Sequence, residues 1–163
     1  MTPRVVADAD EAVAGIEDSS VVLVGGFGMA GMPVTLIDAL IRQGATDLTV
    51  VSNNAGNGDS GLAALLAAGQ VRKMVCSFPR QSDSWVFDDL YRRGAIELEV
   101  VPQGNLVYRK TARNFGPVMA TAARQTVVEV GRVVETGAID PEVVVTPGIY
   151  VDTLLDLSSG VAA

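Results

Sequence analysis

The run "VVLVGGFGMAGMPVTLIDAL", Val21 to Leu40, sets an apolar β-branched tetrad, a glycine cluster and an amphipathic pattern end to end. That order reads as strand, turn and helix. The tetrad is continuously apolar rather than alternating, as expected of a central parallel strand covered on both faces. Gly26, Gly28 and Gly31 stand in G-x-G-x-x-G spacing. Pro33 suits a first helical turn, where its missing N–H costs nothing, and Gly44 suits a helix end.

The same unit recurs downstream. Asp47–Ser52 reads as a second strand, and Gly61–Ala68 as a short helix stopped by Gly69. Val71–Phe78 is a third strand. Asp83–Arg93 is helical, with Trp85, Phe87, Leu90 and Tyr91 as its apolar contacts, and Ile96–Val101 is a fourth strand. Strand and helix alternate about every 25 residues, the signature of an α/β fold: an open, mainly parallel sheet with helices on both faces. Beyond Pro102 the order weakens. After the polar "QGNLVYRKTARNFGP" the chain predicts a helix over Pro117–Arg124, the strand "TVVEV" and a tail "DPEVVVTPGIYV", completing the same sheet.

Composition narrows the function. A chain of 163 residues suits one domain. Apolar runs are short and broken by Gly, Asp or Arg, so no membrane span is expected. The opening "MTPRVVADADEAVAG" lacks an apolar signal core, and the expected location is cytoplasmic. A net charge of −7 argues against a nucleic-acid partner, since no basic stripe is present to neutralise phosphates. Cys76, the only cysteine, sits in "VRKMVCSF" and reads as a buried core thiol. With no histidine at all, Ser-His and Cys-His pairs are excluded and no metal site is expected. Chemistry must rest on carboxylates, amides, backbone dipoles or another subunit.

In a parallel sheet, ligands sit beyond the C-terminal strand ends, where the glycine loop opens a helix whose N–H groups form an anion site. A nicotinamide dinucleotide also needs an acidic residue about 20 positions on. Ser52, Asn53 and Asn54 occupy that place instead. Adjacent amides at a strand end either donate to developing negative charge or close an Asx turn on local backbone. "VVPQGN" repeats the device with Gln103 after the fourth strand. Three carboxamides beside a glycine loop thus suggest one crevice lined by Asn53, Asn54 and Gln103.

These segments resemble a known family. "GGFGMAGMP", "TVVSNNAGNGDSGLAALL", "VRKMVCSFPRQSDSWVFDDLYRRG", "IELEVVPQGNL", "YRKTARNFGP" and "DPEVVVTPGIYV" are similar to the A subunit of family I coenzyme A transferases, of the 3-oxoadipate and succinyl-CoA:3-oxoacid type. The resemblance implies a CoA-transferase-like domain over 1–163 and a partner B subunit in a hetero-oligomer. It implies coenzyme A as a substrate rather than a tightly bound cofactor, with an acyl-CoA and a 3-oxo acid exchanging it. The nucleophilic glutamate is then expected on the B subunit, while Glu11, Glu97, Glu129 and Glu142 here fall on helical or strand patterns. By resemblance, Gly25, Gly26, Phe27, Gly28, Met29, Ala30 and Gly31 contact CoA, while Asn53, Asn54 and Gln103 face the reacting carbonyl. Arg80 suits a substrate carboxylate or a solvated turn, and Trp85 and Phe87 suit core or subunit contact. Family members carry several tens of further residues between the "PQGNL" and "YRKTARNFGP" segments, so the resemblance also implies a chain shortened between about 106 and 107. Two other readings of the residues stay open: a non-catalytic ligand-sensing module of similar fold, and a dinucleotide-binding Rossmann domain.

Overall fold

The computed structural model describes residues 3–101, 116–140 and 143–159. Strands β2 (Val21–Leu23), β3 (Leu48–Asn54), β4 (Val71–Phe78) and β5 (Glu97–Val100) form one parallel sheet in the order β2-β3-β4-β5. Helices α2 (Val34–Gln43), α3 (Leu62–Ala67) and α4 (Trp85–Arg92) are the crossovers between them. The continuous apolar strands and the helical periodicity between them dictate this alternation.

A single cluster holds the sheet and its helices together. Leu48, Val50, Met74 and Cys76 on one sheet face pack against Ile37 and Leu40 of α2, Leu62, Leu65 and Leu66 of α3, and Val86 and Phe87 of α4. Burying each of these large side chains contributes about 1.5–3 kcal/mol of transfer free energy. The alternate residues Thr49, Val51, Lys73 and Val75 are only half-buried. Gln70, in the turn between α3 and β4, closes the C-terminal end of α2, its Nε2 donating to the Leu40 and Ala45 carbonyls at 3.1 and 2.8 Å.

The far part of the chain departs from expectation. β6 (Val127–Val130) and β7 (Thr153–Asp156) do not complete the first sheet but join β1 (Arg4–Val6) in a second parallel sheet ordered β1-β7-β6. Neither β1, nor the helix α1 (Ala9–Val13), nor β7 is expected from sequence, because stretches of three to five residues carry no readable periodicity. The helix expected over Pro117–Arg124 is α5, Gly116–Ala122. β2, expected at the centre of a sheet, pairs among the described residues only with β3.

Helix α2 belongs to both layers. Leu36 and Ala39 enter a second cluster with Val6, Ala9, Ala12, Val13 and Leu155. Ion pairing of Arg42 with Asp10 (2.6 Å) and donation by Gln43 Nε2 to the Ile16 carbonyl (2.6 Å) fasten α1 to it.

Candidate functional site

The C-terminal end of β3 carries Ser52, Asn53 and Asn54, each buried. Side chains alternate along a strand, so the two neighbouring asparagines point to opposite faces. Asn54 Oδ1 accepts the Gly56 N–H at 2.8 Å, an Asx turn that ends the strand. Gly56 has φ +87°, and a Cβ there would stand 2.5 Å from the Ala63 nitrogen, so only glycine fits. Asn53 differs: it is 1% exposed, and among the described residues neither Oδ1 nor Nδ2 has a hydrogen-bond partner. An orphaned carboxamide at that depth carries a desolvation cost of about 1–3 kcal/mol. A cost left standing in a fold marks a group held ready for something else.

The glycine loop lies alongside. The β2–β3 register pairs Leu23 with Val51, and the Val24 N–H continues it to the Val51 carbonyl at 2.8 Å, bringing Gly25 abreast of Asn53. Gly26 turns the chain at φ +122°, where a Cβ would come within 3.1 Å of the Met32 nitrogen. Phe27 and Ala30 then exchange backbone hydrogen bonds at 3.0 and 3.2 Å, leaving Gly28 and Met29 at the tip of a tight turn. Phe27 and Met29 are about half exposed, at 54% and 49%. Ala30 and Gly31 are exposed and Gly25 is half-buried. The loop thus offers apolar side chains and backbone to a ligand.

The N-terminus of α2 is not the open anion site expected from sequence. The Leu36 N–H donates to Glu129 Oε2 at 3.2 Å, so a carboxylate from β6 already answers the helix dipole. Sequence offers no signal for this, since the partners are 93 residues apart.

Nor does sequence signal the polar staple beside the site. Ser84, 4% exposed, accepts the Gln81 N–H at 2.8 Å, and its hydroxyl lies 3.3 Å from both the Gly56 carbonyl and Asn57 Oδ1. Asn57 Nδ2 donates to Gln81 Oε1, and the Gly58 N–H to the Asp83 carbonyl at 2.9 Å. These bonds fasten the loop after β3 to the loop after β4, which holds the Asn53 end of the sheet in one geometry.

Arg80 is engaged within the fold: it pairs with Asp88 at 2.7 Å and lies 6.0 Å from the Tyr91 ring centroid. Phe87 is core at 1% exposed, whereas Trp85 is 61% exposed at the start of α4. Cys76 is fully buried, and desolvation pushes its thiol up to about 11. Gln103 lies outside the described residues, as does the 106–107 junction. Among the described residues no three His, Cys, Asp or Glu side chains gather as a metal requires, and no helix is long and apolar enough to cross a membrane.

Comparison with known proteins places this geometry. The family model described as Coenzyme A transferase matches residues 6–109 and again 102–156. The A subunit of the 3-oxoadipate CoA-transferase of Pseudomonas putida is 46% identical over 214 positions, covering 93% of both chains. The A subunit of the succinyl-CoA:3-ketoacid coenzyme A transferase of Xanthomonas campestris is 36% identical, covering 91% of this chain and 87% of its own. Both alignments run longer than the chain's 163 residues, so they pass over positions for which it has no residue. Among solved structures, an acyl-CoA transferase of Escherichia coli O157:H7, in a thioester complex with CoA, superposes with a TM-score of 0.75 at 16% identity. That match takes in 95% of this chain and 47% of the other, so this chain spans about half its length.

Proposed function

We propose that this chain, which belongs to the coenzyme A transferase family and is a CoA-transferase subunit, works with a B subunit to move CoA from succinyl-CoA to a 3-oxo acid. The acceptor is 3-oxoadipate or acetoacetate, and the assembly acts in the cytoplasm. A glutamate of the B subunit first attacks the thioester carbonyl, CoA leaves as its thiolate, and an acyl–glutamyl anhydride forms. The thiolate then attacks the glutamyl carbonyl, releasing the first acid and leaving a glutamyl–CoA thioester, from which the second acid takes CoA through the reverse steps. Each step passes through a tetrahedral oxyanion, and one aligned donor stabilises it by about 3–4 kcal/mol.

In this reading the chain contributes donors and a binding loop, with no nucleophile of its own. Asn53 Nδ2 is the donor. The observation that carries this is its burial with both polar atoms unpaired beside the glycine loop. Asn54 sets the turn that fixes Asn53, and Gln103 is the matching amide after β5. Residues Gly25 to Gly31 lie against the CoA moiety, with Phe27 and Met29 making its apolar contacts. The chain acts as one domain over 1–163, shortened between about 106 and 107.

The test pairs the chain with its B subunit in one assembly and follows CoA transfer from succinyl-CoA to 3-oxoadipate and to acetoacetate. Turnover with one acceptor is expected, and Gln103→Ala should lower kcat more than it weakens CoA binding. A stable assembly that transfers CoA to neither acid refutes the reading.

A further inference from the structure

The geometry points to Ser77 as a second donor to the reacting acyl oxygen, paired across the sheet with Asn53. Its place follows from register. β3 and β4 pair Ser52 with Cys76 and Asn54 with Phe78, so Asn53 and Ser77 stand abreast on neighbouring strands. Cys76 lies in the cluster under the crossover helices, and alternation turns Asn53 and Ser77 together to the opposite face. Gly25 flanks Asn53 on its other side. The end row of that face therefore reads Gly25, Asn53, Ser77: no side chain, an amide and a hydroxyl. The row beneath it is Leu23, Val51 and Val75, all apolar and half-buried.

The spacing suits one shared acceptor. Neighbouring strands lie about 4.7–4.9 Å apart, and hydrogen bonds to oxygen span about 2.5–3.2 Å. An oxygen seated between the two residues is thus within reach of Asn53 Nδ2 and Ser77 Oγ together. The two differ in access. Asn53 is 1% exposed, whereas Ser77 is half-buried, so a ligand comes in over the hydroxyl.

Neither donor is committed elsewhere. Among the described residues nothing hydrogen-bonds to the Ser77 side chain, just as nothing does to that of Asn53. Ser84, by contrast, is tied to the Gln81 N–H and the Gly56 carbonyl. A hydroxyl hydrogen rotates to suit its acceptor, so Ser77 can follow the oxygen as it leaves the carbonyl plane. The buried amide keeps its direction. Donors aimed where charge develops act on the barrier, and the apolar floor beneath strengthens them by excluding water. This role rests on Asn53 acting as an oxyanion donor in the proposed transfer.

The test uses the assembly with the B subunit. Ser77→Ala should keep its melting temperature, since the hydroxyl has no bond in the fold to lose. Its kcat should fall about 10- to 100-fold, as for a lost hydrogen bond to a charged group, with KM for succinyl-CoA changed less than about twofold. Ser77→Thr restores the hydroxyl on a residue suited to strands and should recover most of the rate. Combined with Asn53→Leu, Ser77→Ala should lose less than the product of the two single losses, because both donors serve one oxygen. In Ser77→Cys, succinyl-CoA should slow alkylation of the new thiol by iodoacetamide, read by mass on its peptide. A Ser77→Ala assembly with wild-type kcat overturns the inference and leaves the proposed function standing. Strictly multiplicative losses, or a thiol that succinyl-CoA does not protect, overturn it in the same way. A wild-type assembly that transfers CoA to neither acid overturns the proposed function, and this inference with it.

Discussion

Replacing Asn53 by leucine separates its role in the fold from its role in the site. Leucine has the same branching, with methyl groups where Asn53 carries Oδ1 and Nδ2. Because both atoms are buried and unpaired among the described residues, the wild-type side chain lowers stability by about 1–3 kcal/mol relative to a well-packed apolar group. Part of that gain is lost to the extra volume of the methyl groups. Asn53→Leu should therefore raise the free energy of unfolding by about 1–2 kcal/mol, which for a chain of this size moves Tm by about 3–6 °C. The same change should lower CoA transfer by the assembled enzyme about 10²- to 10³-fold, the usual effect of deleting one oxyanion donor. Urea unfolding of the chain and initial rates of the assembly supply the two numbers. A variant destabilised by more than about 1 kcal/mol would show that the amide is satisfied in the fold, and one with full turnover would remove it from the site.

Three further outcomes follow from the geometry. Gly56→Ala imposes a left-handed conformation costing about 1–2 kcal/mol and a backbone collision costing about 1–3 kcal/mol more. A total loss of about 2–5 kcal/mol is expected on denaturant unfolding, and unchanged stability would mean the loop relaxes freely. Glu129→Gln keeps an acceptor for the Leu36 N–H but removes the charge facing the α2 dipole. It should cost about 0.3–1 kcal/mol at low ionic strength and less in high salt; a loss insensitive to salt refutes the dipole account. Cys76, whose thiol burial pushes up to about 11 from 9.0, should resist alkylation at about pH 8 until the chain unfolds. Its contribution to stability is complete below pH 9.0 and lost as pH rises from there through about 11, because the unfolded chain releases the proton first. Stability flat across that interval in comparison with Cys76→Ala would contradict this.

The first sheet was legible because β3, β4 and the helices α2 to α4 have the length and periodicity that local reading needs. β1 and β7 were not, because "RVV" and "TLLD" become strands only by pairing with each other in parallel, Arg4 with Thr153 through Val6 with Leu155. Nothing local to either segment announces that partner. The site shows the same division. Sequence put Asn53 and Asn54 at a strand end but treated them alike; the pleat sends one to an Asx turn and leaves the other unpaired. The α2 N-terminus read as vacant because its anion, Glu129, arrives from a strand of the other sheet.

The pairing of β1 with β7 fixes an order of events during synthesis. Strands β2 to β5 and their crossover helices are neighbours in sequence, so the first sheet and its cluster can assemble while later residues are still being added. β1 is made almost first yet has no strand to join until Asp156 has left the ribosome. At about 5–20 residues per second that wait lasts roughly eight to thirty seconds. Throughout it, the apolar side of α2 that carries Leu36 and Ala39 lacks Leu155, its β7 partner in the finished cluster. Closing so long a loop is also the slowest class of contact to form. Early truncation, slow codons near the end of the message or a destabilised β7 should all appear first as chaperone dependence of the nascent chain, before any defect in the finished protein is measurable.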